Sequence, residues 1–312
     1  MKPSHYIILV LAILFYQQAS GQNPELEKNF KSPPSEYSLL PFWSWNGTLI
    51  AEELTRQIDE MLDKGIHGAF MHARSGLEQS ETPYFSDGFW KAMDTTVHYG
   101  AAKGFLTCLY DEDKWPSGSA GGRTIAANPD EFIKKGLFFR KMEVIGPQQL
   151  QLHLHEKPLA VFAGKTAESG AYNFQSQIEL TGKSTWNVPF GRWTVISFEV
   201  AKDPHEQIDY LDEAAVAKFI EITHEEYLRR YGQYFGTTIP GIFFDEIYAN
   251  FSRMGDNMFW TDDFLQKFKS FKGYDLLEKL PLMVLHDPKH SAQVRHDFFD
   301  VVRELYTKAW FR

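Results

Sequence analysis

The feature that most constrains the fold is a regular alternation of short apolar runs and amphipathic segments early in the chain. Three apolar runs are strand candidates: Leu39–Trp45, Ile66–His72 and Phe105–Tyr110. Between them lie two segments with the apolar spacing of a helix. The first can be capped by Thr48 and ends at Gly65, and the second can be capped by Ser86 and ends at Gly104. This order predicts parallel strands joined by helical crossovers.

A β-rich stretch then interrupts the alternation. Residues 142–200 hold several short apolar runs, one of them strictly alternating, separated by Gly, Pro and Ser clusters, which predicts an inserted antiparallel β module. The α/β pattern resumes with a long helix capped by Asp212 and a fourth strand at Ile239–Glu246. Further helices are predicted after Thr261 and after Ser291.

Four strand–helix units leave two architectures open, because a closed barrel of this type needs eight. The chain either forms a complete open sheet, or it is the first half of a (β/α)8 TIM-type barrel with an inserted antiparallel β module. The last helix reaches Arg312 without a stop signal, which favours the half barrel. The predicted division is a signal peptide at 1–21, barrel units one to three at 22–141, the β module at 142–200, and barrel unit four with the following helices at 201–312.

The first residues have the pattern of a secretory signal. Lys2 precedes ten apolar residues, Tyr6–Phe15, and small residues follow at Ala19 to Gly21. Ten apolar residues are too few to span a bilayer. We therefore expect an exported protein, periplasmic or extracellular, that begins near Gln22 and has no membrane span after cleavage.

Composition narrows the choice of partner. The chain has 41 acidic and 32 basic side chains and a formal net charge of -9, which argues against nucleic acid. Its single cysteine, Cys108, excludes an intrachain disulfide framework and a cysteine-based zinc site. Aromatic residues make up 15% of the chain, and some of these rings could stack on sugar-like ligands.

Reactive and aromatic side chains follow all four predicted strands, where a barrel of this kind gathers its catalytic groups. In chain order they are Trp43, Trp45, Asn46, His72, Arg74, Tyr110, Asp111, Glu112, Asp113, Trp115, Asp245 and Glu246. Opposed carboxylates beside aromatic rings are suited to cleaving glycosidic bonds, since one acid protonates the leaving oxygen and the other activates water or attacks the sugar. We therefore predict an oligosaccharide or polysaccharide substrate.

The two best catalytic candidates are Glu246 and Glu112. Glu246 ends an apolar run, so we expect burial to raise its pKa and make it the general acid. Glu112 lies among other acids, a wetter setting that suits an ionised base or a ligand. Asp111 and Asp113 could hold Ca²⁺, which prefers carboxylate oxygens. The remaining residues named above are predicted to bind substrate, although core packing is an equal alternative for the two tryptophans.

Two local motifs point to no known chemistry. The run His224-Glu225-Glu226 lacks the second histidine of a zinc-protease helix. The Gly-rich run from Ser117 to Gly122 has no following Lys-Ser or Lys-Thr, so it is not a nucleotide-binding loop and is expected to form a backbone turn.

Four segments together resemble the N-terminal catalytic region of the α-L-rhamnosidase-like glycoside hydrolases, family 106. They are PFWSWNG at 41–47, GIHGAFMHARSGL at 65–77, LYDEDKWPSGSAGG at 109–122 and PGIFFDEIY at 240–248, in the family's order. The resemblance implies a (β/α)8 barrel, inverting hydrolysis by two glutamates, calcium in the site, and a longer protein with the second half of the barrel downstream. Two other classes stay open: a carbohydrate-binding protein without turnover, and a polysaccharide lyase using Tyr110 and Arg74.

Overall fold

The computed structural model describes residues 24–34, 37–152, 158–202, 207–246 and 257–311. The chain divides into two compact units, one running to Tyr110 and including Tyr234–Phe243, the other made of Asp111–Gln233 and the residues from Phe244 onward. The predicted signal peptide lies outside the described residues. Within them, no helix is long and apolar enough to cross a membrane.

The first unit is built on a parallel sheet, as the alternation predicts. Its strands are β1 (Phe42–Trp45), β2 (Gly68–Ala73), β3 (Leu106–Tyr110) and β8 (Ile242–Phe243), which are neighbours in the order β1-β2-β3-β8. Each neighbouring pair is parallel. The helices are α1 (Pro24–Lys31), α2 (Ala51–Asp63) and α3 (Asp87–Lys103), with a 3-10 turn at Leu77–Gln79.

One of the two predicted helix caps is confirmed. The Ser86 hydroxyl accepts a hydrogen bond from the backbone N–H of Phe89, and α3 ends at Gly104 in the left-handed conformation with φ 72°. Thr48 does not cap α2, which begins after Ile50 without a side-chain cap. The Thr48 hydroxyl instead accepts from the backbone N–H of Glu81, and two acidic residues in the first turn of α2 compensate the helix dipole.

The second unit is built on a curled antiparallel sheet packed with helices. Its strands are β4 (Lys135–Gln151), β5 (Ala160–Lys165), β6 (Ile178–Glu179), β7 (Thr185–Lys202) and β9 (Asn257–Trp260), in the order β6-β5-β7-β4-β9. The helices are α4 (Arg123–Ala127), α5 (Glu213–Ile222), α6 (His224–Tyr231), α7 (Phe264–Lys272), α8 (Leu280–Val284) and α9 (Ser291–Phe311). Short 3-10 turns lie at Phe174–Ser176 and Leu277–Lys279.

The antiparallel sheet is larger than the sequence pattern indicates. β4 begins at Lys135, ahead of the predicted module, and pairs with β7 along its whole length. Arg140 and Lys141 obscure its apolar alternation, although Leu137 on the same strand is fully buried. Strand β9, which the sequence does not predict, pairs with the first residues of β4.

The long helix predicted after Asp212 is two helices. Asp212 caps α5 as predicted, since its carboxylate accepts from the backbone N–H of Ala214. The chain then breaks at Thr223, whose hydroxyl donates to the carbonyl of Phe219 at 2.7 Å, and α6 begins at His224. Thr261 is not the cap of α7, which begins at Phe264 after Asp263 in a left-handed conformation.

Candidate active site

The loop after β3 is organised around the carboxylate of Glu112. This side chain is 1% exposed and accepts hydrogen bonds from four backbone N–H groups, those of Asp113 (2.8 Å), Gly118 (3.0 Å), Ala120 (2.8 Å) and Gly121 (2.6 Å). Burial raises the pKa of Glu112 to about 7, against the opposing effect of these donors. The predicted wetter setting is therefore wrong, because the loop encloses the carboxylate.

The glycines of the loop make this enclosure possible. Gly118 has φ 136° and Gly121 has φ 61°, conformations that side chains disfavour and that turn successive N–H groups toward one acceptor. A Cβ at Gly118 would also lie 3.0 Å from the side chain of Ile208. Ala120 takes a positive φ of 51° between them. The Gly-rich run is thus a backbone cradle for a carboxylate of its own loop.

A second cluster, here called the Asp111 cluster, consists of Asp111, Ser117, His224 and Asp245. Asp111 is fully buried, and its Oδ1 accepts from the Ser117 hydroxyl at 2.6 Å. Its Oδ2 lies 3.3 Å from Nε2 of His224. The Ser117 hydroxyl accepts from the backbone N–H of Asp245 at 2.9 Å, and the Ser117 N–H donates to the Asp245 carbonyl. Two hydrogen bonds therefore connect the loop after β3 to the segment after β8.

His224 is the residue of this cluster that sequence reasoning missed. Its Nδ1 lies 3.0 Å from the Thr223 hydroxyl, so both ring nitrogens face oxygen atoms. In the sequence, His224 is noted only because its neighbours lack the second histidine of a zinc-protease helix. The break at Thr223 starts a new helix there and brings the imidazole to Asp111, and no local pattern signals that approach.

Glu246 has the opposite environment to the one expected. The side chain is exposed and the residue has a positive φ of 42°. β8 ends at Phe243, so Glu246 lies beyond the regular strand and is not enclosed by it. The expectation of burial is wrong, while the catalytic role of Glu246 stays a prediction. Asp245, its neighbour, is half-buried and linked to Ser117 through its backbone.

The two tryptophans of β1 lie on the opposite face of the sheet from its other rings. Trp45 is 2% exposed and its ring lies 5.8 Å from that of Phe89 on α3. The Trp43 indole N–H donates to the Gln57 side chain of α2 at 2.6 Å. Of the two alternatives for these tryptophans, the structure favours core packing against the helices.

The other face of the parallel sheet carries an aromatic group of its own, made of Phe42, Phe70, His72, Tyr110 and Phe243. The His72 and Tyr110 rings lie 3.7 Å apart and both residues are almost fully buried. Tyr110 stacks parallel to Phe243, and Phe42 is 47% exposed. The predicted binding residues Asn46, Arg74 and Trp115 are exposed.

Asp111 and Asp113 are the predicted calcium ligands. Among the described residues, no three acidic, histidine or cysteine side chains converge as ligands for a metal ion. Asp111 accepts a hydrogen bond from Ser117 and faces His224. Calcium binding by Asp111 and Asp113 stays a prediction, and no step of the chemistry below depends on it.

Comparison with known proteins supports a relationship to glycoside hydrolases. No protein-family model matches the chain. A protein of Formosa agariphila, named provisionally as a beta-glucuronidase, is 20% identical over an alignment 365 residues long including gaps, which covers 98% of this chain and 30% of that protein. The structure of a rhamnosidase from Novosphingobium sp. PP1Y matches with a TM-score of 0.54 and 12% identity, over 91% of this chain and 45% of the rhamnosidase.

The chain matches only part of each of these two proteins. It spans 30% of the length of the curated relative and 45% of the rhamnosidase chain. The structural match shows a shared fold. Neither match establishes the family that the four sequence segments resemble, which stays a prediction.

Proposed function

We propose that the chain is part of an exported glycoside hydrolase that cleaves glycosidic bonds in plant or microbial polysaccharides, with α-L-rhamnosides as its substrates. The observation that carries the proposal is a parallel sheet whose third and fourth strands lead directly into the acidic pairs Asp111-Glu112 and Asp245-Glu246. The fold match to a rhamnosidase over 91% of the chain supports it.

In this proposal Glu246 is the general acid. Its exposed side chain can reach a substrate, and protonation of the leaving oxygen is the step that glycosidic cleavage needs. Glu112 was the other catalytic candidate, but its carboxylate is engaged by four N–H groups and serves the loop instead. We therefore assign the partner carboxylate to a residue outside the described part of the protein.

The four parallel strands are, in the same proposal, the first half of a (β/α)8 barrel. Their uninterrupted parallel order β1-β2-β3-β8 supports this assignment.

Hydrolysis of β-glucuronides is the second candidate. The name of the curated relative, which matches 98% of this chain, favours it. An exposed guanidinium at Arg74, directly after β2, would suit the carboxylate of a uronic acid. The two candidate functions differ in the sugar that is released, and both use Glu246 as the general acid.

The test is turnover by the native protein of an aryl α-L-rhamnoside and of the matching aryl β-D-glucuronide. We expect release of the aryl group from the rhamnoside, and its loss in a Glu246→Gln variant but not in a Glu168→Gln control at an exposed acid. Turnover of the glucuronide alone would move the assignment to the second candidate. Binding without turnover of either would leave a carbohydrate-binding protein, and unsaturated products from a uronate polymer would indicate a lyase.

The same turnover assay tests whether the protein depends on bound calcium. If Asp111 and Asp113 hold the ion, treatment with a chelator lowers turnover and melting temperature, and added Ca²⁺ restores both. Unchanged values after chelation would contradict the calcium prediction.

A further inference from the structure

The second unit contains a cavity of about 460 Å³ that shares no residue with the Asp111 cluster. It is lined by residues of the 3-10 turns Phe174–Ser176 and Leu277–Lys279, by the segment Asp287–His290 that precedes α9, and by apolar side chains of α8 and α9. Its volume lies within the range of about 300–1,000 Å³ that is usual for small-molecule sites. No step of the proposed hydrolysis uses this cavity.

The floor of the cavity is apolar. Leu282 and Val294 are 6% and 5% exposed, and both belong to the main core of this unit. Phe174 packs against the same core, while part of its ring stays accessible in the cavity. An aromatic ring over an aliphatic floor provides a flat surface for the C–H face of a sugar ring.

The rim of the cavity is polar and its charges balance. Its hydrogen-bonding side chains are Gln175, Gln177, Glu278, Lys279, Asp287, Lys289 and His290. Two carboxylates and two lysine ammonium groups stand among them, so with His290 neutral the rim has no excess charge to select an anion or a cation. Amides, carboxylates and ammonium groups together offer both donors and acceptors, as a polyhydroxylated ligand requires.

The walls are held in place by their own hydrogen bonds. The Gln177 side chain donates to the carbonyl of Glu278 at 3.1 Å and so connects the two turns. Asp287 accepts from the backbone N–H groups of Lys289 and His290, and its Oδ1 lies 2.8 Å from Nδ1 of His290. These contacts fix the two turns and the segment before α9 around the cavity.

We propose that this cavity is a second saccharide-binding site that takes a neutral sugar unit. The choice of a saccharide over other neutral ligands rests on the proposed function, whereas neutrality follows from the balanced rim. A second contact on the same polymer would raise the local concentration of substrate at the catalytic centre.

The test is calorimetric titration of the native protein with L-rhamnose, cellohexaose and sodium glucuronate. We expect at least one neutral sugar to bind more tightly than glucuronate. Phe174→Ala should weaken that binding about tenfold, which corresponds to about 1.4 kcal/mol. If Phe174→Ala disturbs the core and lowers the melting temperature, sugar binding by His290→Ala, at the exposed rim just before α9, decides. His296→Ala, on α9 and outside the cavity, is its matched control.

The outcomes separate this inference from the proposed function. The cavity variants should leave turnover of a small aryl glycoside unchanged, and Glu246→Gln should leave the cavity's binding unchanged. Sugar binding that depends on Phe174 or His290 without any turnover would sustain the site and refute the hydrolase. Absence of neutral-sugar binding, tighter binding of glucuronate, or equal binding by all variants would overturn the site.

Discussion

Glu112 and Glu246 follow neighbouring parallel strands, β3 and β8, and their surroundings are opposite. The carboxylate of Glu112 is 1% exposed and holds four backbone N–H groups. Glu246 is exposed and has a positive φ of 42°. Two acids that follow neighbouring strands thus differ in burial, one enclosed by its own loop and one exposed.

The difference comes from the residues that follow each acid. Gly118 and Gly121 let the chain after Glu112 return over the carboxylate, and the buried acid is tolerated because N–H groups replace water. β8 has only two residues, and the chain leaves the sheet before Glu246. A position at a strand end therefore does not by itself determine whether an acid is buried or exposed.

The largest effect should come from removing the Glu112 carboxylate. Glu112→Ala leaves four N–H groups without their acceptor, and an unsatisfied buried group costs about 1–3 kcal/mol. We expect local stability of the loop to fall by about 3 kcal/mol or more, and hydrogen exchange of the Gly118, Ala120 and Gly121 amides to accelerate at least about a hundredfold. Glu168→Ala, at an exposed acid, is the control, and equal exchange rates in both variants would contradict the loop-organising role.

The Glu112 carboxyl should also make the stability of the protein depend on pH. The pKa of Glu112 is raised from its ordinary value of 4.5 to about 7, so the folded protein keeps a proton that the unfolded chain releases. This contribution is fully present below about pH 4.5 and is lost as pH rises to about 7, at up to ~1.4 kcal/mol per pH unit for one group.

Asp209 contributes to the pH dependence of stability in the same direction as Glu112, because burial raises the pKa of Asp209 to about 7. Glu112→Gln and Asp209→Asn should each remove part of the decline in unfolding free energy between pH 4.5 and 7, and the double variant should remove both parts. Denaturant titrations at several pH values measure the unfolding free energy of the wild type and of each variant. A wild-type stability that rises across this window would show that these acids are not held protonated.

A smaller loss of stability is expected when Ser117, which connects the loop after β3 to the segment after β8, loses its hydroxyl. Ser117→Ala removes the hydroxyl that donates to Asp111 and accepts from the Asp245 N–H, which should cost about 1–3 kcal/mol. Ser119→Ala in the same loop is the matched control and should change stability by less than about 0.5 kcal/mol. Equal thermal shifts in the two variants would mean that the Asp111 cluster does not hold the loop.

The parts of this fold that depend on local patterns could be predicted from the sequence. The parallel strands, the Ser86 cap and the Gly104 stop follow from apolar spacing and from capping chemistry within a few residues. The β-rich character of the middle of the chain follows from its alternation. Strand β9 could not be predicted, because its pairing with β4 joins segments far apart along the chain.

The candidate site was less predictable, because its properties are set by contacts between distant segments. The acids after β3 and β8 could be located, but the environments expected for Glu112 and Glu246 are reversed in the structure. His224 reaches Asp111 only because the helix breaks at Thr223. Strand-end position could be predicted from sequence, whereas burial and hydrogen-bond partners needed the tertiary structure.

The most direct test of this division of roles compares Glu246→Gln with Glu112→Gln in the native protein, measuring melting temperature and turnover of the aryl rhamnoside on the same samples. Loss of general acid catalysis costs roughly 10² to 10⁴ in rate. We predict that Glu246→Gln loses at least about a hundredfold in turnover at an unchanged melting temperature, and that Glu112→Gln lowers the melting temperature at about pH 4.5, where the contribution of the protonated carboxyl is fully present. Near wild-type turnover by Glu246→Gln, or an unchanged melting temperature for Glu112→Gln, would contradict the account.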